Sequence, residues 1–186
     1  TSRGLGDVYK RQTFLTGFSL LEKYNLAYDN WSPDFTRLPR LADLANKNPG
    51  VTVIVNHLGG KIDPSADEEE LSLWREAIDS VAACSNTVMK LGGAQMRVGD
   101  WEPPYHMHKA DSPWDSDKFL STLLPRYQYA FEKFGPDRCM FESNFPVDKD
   151  CISYRTLWNL FKKMATKLGL SDSEKMSVFS GTAARA

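Results

Sequence analysis

The sequence predicts a parallel α/β fold of four strand–helix units, about half of an eight-stranded α/β barrel. Three observations predict it. Short apolar, β-branched runs alternate with amphipathic helical stretches along the chain, and strands separated by helices pair in parallel. No GxGxxG or GxxxxGK[ST] run follows any strand, so the glycine fingerprint of a nucleotide-binding sheet is missing. Polar residues gather where each strand ends, as they do at the C-terminal mouth of an α/β barrel.

The elements follow in order. Phe14, Leu15, Phe18, Leu20 and Leu21 give one face of a helix from Thr13 to Tyr24. Leu26–Trp31 reads as a short strand with a polar end. Phe35–Asn48 is helical, with Leu38, Leu41, Leu44 and Ala45 on one side and "NPG" as its stop. Val51–Val55 is β-branched and reads as a strand. Asp67–Cys84 is a helix whose acidic first turn suits the positive end of the helix dipole. Asn86–Leu91 is the third strand. Gly92–Asp115 is a long loop rich in Pro, Gly, Trp and His. Ser116–Phe134 is a helix, Arg138–Ser143 the fourth strand, and Ile152–Leu168 a helix carrying Leu157, Leu160, Phe161 and Met164. Ser171 and Glu174 form a capping box that opens a last helix to Phe179.

Composition narrows the function classes. The 186 residues are 41% hydrophobic and 25% charged, with a net charge of −1. Nothing there suits nucleic acid or an anionic membrane, and no apolar run is long enough to cross a bilayer. The expected partner is a small-molecule substrate, with self-association into a homo-oligomer as a further expectation. Cys84, Cys139 and Cys151 are odd in number and lack metal-like spacing, which predicts reduced thiols in a cytoplasmic protein. Thr1–Gln12 has no periodicity, and "DVYKRQ" (Asp7–Gln12) resembles one reading frame of a transposon-end adaptor. The expected division is therefore a non-native, adaptor-like tail over 1–12 and half of a barrel domain over 13–186. A flexible native tail is the alternative. Four strands leave two open edges, a liability for any sheet, so the chain is expected to be either part of a longer protein or a small open sheet.

Four segments carry a family resemblance: "VIVNHLGG", "NTVMKLGG", "FGPDRCMFESNFPVDK" and "LWNLFKKMA…EKMSVFSGTAARA". In this order and spacing they resemble the C-terminal half of the amidohydrolase-related proteins. These are hydrolases of TIM-barrel fold, related to sugar lactonases, pyrone-dicarboxylate lactonase and amino-carboxymuconate decarboxylase. The resemblance implies that the four strands are the last four of the barrel, and that His57 matches the histidine after the sixth strand. It places the carboxylate after the eighth strand at Asn144, where the family more often has Asp. An amide neither ligates a metal nor takes a proton well. The family's first-strand His-x-His would lie upstream of Thr13, and Asp29 and Asp34 are the nearest polar groups to the expected fifth-strand histidine. A divalent metal, zinc or manganese, is what the resemblance implies, with His57 as one ligand. The activity it implies is lactonase-like hydrolysis of a small carboxylated or lactone substrate by water attack on a carbonyl. A decarboxylase on the same scaffold and a non-catalytic binding relic are the alternatives.

Each candidate has a second, structural reading. His57, at a strand exit before Gly59-Gly60, can act as an acid/base or a ligand, or can simply cap its loop. The two glycines would let substrate approach the backbone. Glu142 and Asn144 lie two apart, which in an extended strand places both on one face. They could orient water, or Glu142 could form a structural ion pair with Lys90 or Arg138. Lys90 interrupts an apolar strand and needs a partner, either a substrate anion or an internal acid. Asp29 is a site carboxylate or a turn residue, and Trp31 behind it could wall a pocket. His106 and His108 sit in the proline-rich loop, where they suit a lid better than a metal, together with Trp101, Tyr105 and Trp114. Arg185 is expected to tie the last helix to the barrel.

Overall fold

The computed structural model describes residues 12–61, 66–94, 96 and 114–186. The adaptor-like stretch up to residue 11 and most of the Gly92–Asp115 loop, with Trp101, Tyr105, His106 and His108, lie outside the described residues. The elements are α1 (Gln12–Lys23), β1 (Tyr28–Asn30), α2 (Leu38–Lys47), β2 (Val53–Val55), α3 (Glu68–Ala82), β3 (Thr87–Leu91), α4 (Ser116–Phe134), β4 (Cys139–Phe141), α5 (Tyr154–Lys167), α6 (Asp172–Met176) and α7 (Thr182–Arg185).

The sheet runs β1-β2-β3-β4 in chain order, and every pair is parallel. The register aligns Tyr28 with Val53, Val53 with Thr87, and Met89 with Cys139. Strand order that never reverses is the winding of a barrel; a doubly wound sheet has a switch point. Burial agrees. Val53, Val55, Met89, Leu91, Cys139 and Phe141 point to the helices and are buried. Of the residues of opposite parity, Asp29, Ile54, Val88 and Lys90 are half-buried or exposed, while Met140 on β4 is buried. Helices therefore cover one face, and the other is the side that lines a barrel's interior.

The helices match the predicted ones within a few residues because their caps are local. Asp67 accepts from Glu70 N at 2.9 Å, Asp115 from Lys118 N at 2.9 Å, and Ser153 from Thr156 N at 3.1 Å. The inward faces of α2, α3, α4 and α5 place Leu41, Ile78, Tyr127 and Leu160 in one core, and Phe141 stacks on Phe161 with centroids 4.5 Å apart. β1 is shorter than predicted. Leu26 and Trp31 at its ends are 55% and 37% exposed and do not pair with β2. The terminal segment is not one helix to Phe179. The capping box at Ser171 opens α6, a π-helical turn spans Ser177–Gly181, and α7 follows. Arg185 donates to the Asp137 carbonyl at 3.3 Å, which ties α7 to the start of β4 as expected.

Two side chains repeat one device at the N-terminal ends of the strands. Asn86, just before β3, donates to the carbonyls of Ala45, Asn48 and Val51 at 2.8–3.1 Å, closing the α2–β2 connection. Arg138, just before β4, donates to the carbonyls of Cys84 at 2.9 Å and Ala82 at 3.0 Å, closing the α3–β3 connection. Cys84, Cys139 and Cys151 are free and buried, and burial pushes the Cys139 thiol up. Among the described residues, no helix is long and apolar enough to cross a membrane.

Candidate active site at the strand exits

β2 ends in a tight reversal. His57, Leu58, Gly59 and Gly60 all have positive φ, at 52°, 56°, 79° and 146°. Two non-glycine residues in this region are uncommon and cost energy. The reversal is held by Leu58, which is buried and whose carbonyl accepts from Trp74 Nε1 at 3.1 Å. A Cβ on Gly60 would stand 2.9 Å from Phe35 N, and one on Gly59 would stand 2.6 Å from Leu38 Cδ1. The glycines thus admit the chain's own Phe35 backbone and the Leu38 side chain.

The reversal delivers the His57 imidazole to the mouth of the sheet. Its Nδ1 contacts Glu142 Oε1 from beyond β4, with the two side chains only 13% and 19% exposed. Trp31 stands edge-on to the imidazole, with ring centroids 4.7 Å apart. Gly93, at φ 68°, lies directly against it; a Cβ there would collide with Nδ1. Carboxylate, indole and glycine backbone thereby fix the ring on three sides. The approach is that of an ion pair, and neither His57 Nδ1 nor Glu142 Oε1 has a hydrogen-bond partner among the described residues.

A second pair adjoins the first. Lys90 Nζ donates to Asp29 Oδ2 at 2.7 Å, and Asn56 Nδ2 donates to Asp29 Oδ1. Asn56 precedes His57 in the chain, so the two pairs meet at the end of β2. Asp29, Trp31, Lys90, His57 and Glu142 are thus brought together, from four different strand exits. The ion-pair alternative for Glu142 is corrected on both counts: Lys90 goes to Asp29, and Arg138 is taken up by backbone carbonyls. Asp34 caps the turn before α2, accepting from Thr36 N at 3.1 Å and Arg37 Nε at 3.0 Å, which removes it from the site. Trp114 packs on Phe119 at 5.3 Å with Lys118 over its ring, so it belongs to the start of α4 where a lid residue was expected.

Asn144 corrects another expectation. β4 ends at Phe141, so strand alternation stops before Glu142 and Asn144 are reached. Asn144 takes φ 51°, and its Nδ2 donates to Asp148 Oδ1 at 2.7 Å. Asp148 was missed by the sequence reading. It is fully buried, and its Oδ2 has no hydrogen-bond partner. Burial pushes its carboxyl up to about 7, with the nearby Glu142 charge adding to the effect and the Asn144 hydrogen bond opposing it. Its chain neighbours Val147, Lys149 and Asp150 are exposed, so no periodicity in "PVDKD" singles it out; its place inside the specific "ESNFPVDK" segment was the available signal.

A singly wound parallel α/β sheet with ionisable groups converging at its C-terminal edge defines a barrel-type enzyme scaffold. The amidohydrolase family model matches residues 1–186, and the chain belongs to that family. It is 33% identical over 178 residues to the uncharacterized protein y4mH of Sinorhizobium fredii, covering 96% of this chain and 52% of that protein. It is 27% identical over 174 residues to an L-fucono-1,5-lactonase of Burkholderia multivorans, covering 92% and 54%. Among solved structures, an amidohydrolase from Burkholderia multivorans with bound HEPES superposes at a TM-score of 0.77 and 26% identity, over 96% of this chain and 58% of that one. A second crystal form of that amidohydrolase, with bound zinc, gives a TM-score of 0.76 at 24% identity, again over 96% and 58%. A dihydroxybenzoic acid decarboxylase from Polaromonas sp. JS666, with bound manganese and 2-nitroresorcinol, shares the fold at a TM-score of 0.51 and 13% identity, over 94% and 53%. The chain spans about half the length of the curated relatives it matches.

Proposed function

We propose that this chain carries half of the active site of a hydrolase that opens a small lactone, or a related carboxylated ester, by water attack on the carbonyl. The observation that carries this reading is the contact of His57 with Glu142 at the C-terminal edge of the sheet. An imidazole oriented by a carboxylate can accept a proton from water and return it to the departing oxygen. In this reading His57 is the acid/base and Glu142, packed against its ring, holds it in place. Trp31 walls the pocket, and Asn144 offers its amide to substrate. Lys90, held by Asp29, gives a cation beside the carbonyl or the substrate's anionic group. The lactone is favoured because one curated relative is an L-fucono-1,5-lactonase.

A metal is tested by the donors present. Catalytic zinc takes three protein ligands, and no group of three His, Cys, Asp or Glu lies together among the described residues. His57 and Glu142 alone do not fit such an ion. A zinc or manganese held at His57 in the whole protein would draw its other ligands from outside the described residues.

The test uses the full-length protein with a panel of lactones and aromatic acids, following both acid release and carbon dioxide. Ring opening, lowered by at least about tenfold in Glu142→Gln and in His57→Ala, supports the hydrolase. Carbon dioxide release from an acid substrate would transfer the site to the decarboxylase reading, which the shared fold of the manganese-bound decarboxylase keeps in view. Metal analysis of wild type and His57→Ala decides whether that histidine is a ligand.

A further inference from the structure

One ionisable group near the mouth has no part in the chemistry above. Asp148 is completely buried; one carboxyl oxygen accepts from Asn144 Nδ2 at 2.7 Å and the other has no partner. Its backbone N–H donates to the Asn144 carbonyl at 3.2 Å, so the two residues are locked together by a closed loop of contacts. Asn144 Oδ1, in contrast, has no hydrogen-bond partner among the described residues.

We propose that Asp148 is a positioning residue that decides which end of the Asn144 side-chain amide faces the substrate. The inference rests on reading the strand exits as the substrate site. An ionised carboxylate can only accept, so it takes the amide nitrogen and leaves the amide oxygen outward, suited to a hydroxyl or N–H of the substrate. A protonated carboxyl can donate. It keeps one acceptor oxygen but gains a buried O–H with no other acceptor at hand; bonding the amide oxygen satisfies that donor and turns the nitrogen outward, suited to a carbonyl or carboxylate. One proton on a buried group thus selects between two presentations of a neutral side chain, a two-state element with a differential contact in each state.

The surroundings keep the proton exchangeable in the neutral range. Glu142, which follows β4, is the carboxyl whose charge raises that of Asp148. On its own turn Lys149 and Asp150 are exposed, as is Arg155 in the first turn of α5. Among the described residues, no cation acts on Asp148 to hold it ionised.

The experiment reads the Asn144 side-chain amide by NMR, in the full-length protein with ¹⁵N-labelled asparagine and without substrate. The resonance pair is identified by its loss in Asn144→Ser. Expected is a single sigmoidal shift across the neutral range, absent in Asp148→Asn and moved to lower pH in Glu142→Gln. In parallel, the preference in kcat/KM for a hydroxylated lactone over its O-methyl analogue should rise roughly tenfold as pH crosses that step, the scale of one hydrogen bond. A flat wild-type resonance, or the same step persisting in Asp148→Asn, overturns the proposal. The wild-type and Glu142→Gln arms decide if Asp148→Asn does not fold. A titrating amide in a protein that opens no lactone keeps the proton-coupled pair and sinks only the hydrolase reading.

Discussion

Asp148 also sets a stability cost that can be measured without any substrate. Its carboxyl is raised from an ordinary 3.8 to about 7. Between those values the unfolded chain has released the proton and the folded protein still holds it. Stability from this group is therefore complete below pH 4, falls as pH rises, and is lost once pH passes the folded value. The gap spans some three pH units at about 1.4 kcal/mol each, so the site takes up to about 4 kcal/mol from the folded state by neutral pH. Asp148→Asn keeps the size and the acceptor for Asn144 but cannot ionise. In urea unfolding of the full-length protein at a series of pH values, the variant should gain on wild type steadily between about pH 4 and pH 7, with a plateau above. Parallel curves for the two proteins across that window would refute the assignment of a buried, proton-retaining carboxyl.

Further perturbations test the rest. Gly93→Ala introduces a Cβ against His57 Nδ1 at a backbone φ of 68°; it should displace the imidazole and lower kcat by about tenfold or more, with the thermal midpoint falling as well. Lys90→Met removes the ammonium that Asp29 accepts from at 2.7 Å. A rise in KM for anionic substrates, larger than any change in kcat, is expected, and steady-state kinetics would show an unaltered KM if Lys90 serves structure alone. Asn86→Ala leaves three backbone carbonyls without their donor and should cost about 1–3 kcal/mol in urea unfolding, with kcat unchanged in the surviving folded protein.

The fold was legible because its signals are short-range. α4 was readable from Ser116 to Phe134, since a capping Asp and a terminal "FG" bracket an apolar face. β2 was legible as a β-branched run and the others as short apolar stretches between helices, and their common winding followed from the alternation alone. The site was legible only to the extent that strand exits are. His57, Glu142 and Trp31 follow a strand and Asp29 and Lys90 lie near the end of one, and converging strand ends make neighbours of residues distant in order. Their pairing was not legible. Which acid meets Lys90 depends on register across three strands, and that register gave Asp29 the lysine and Glu142 the histidine. The pairing of Asn144 with Asp148 escaped for a different reason. Beyond Phe141 the backbone leaves the strand, and with φ 51° at Asn144 the period-2 rule has no purchase. A buried Asp between exposed neighbours carries no periodic signature at all.

The paired clamps of Asn86 and Arg138 have a consequence for assembly. Each α–β connection is fastened by a residue that belongs to the next unit along, in the manner of overlapping roof tiles. Neither of these two connections is completed in isolation: β3 secures the one before β2, and β4 secures the one before β3. Loosening a single tile should therefore be felt upstream, at the joint it covers, while the residues of its own strand stay in register.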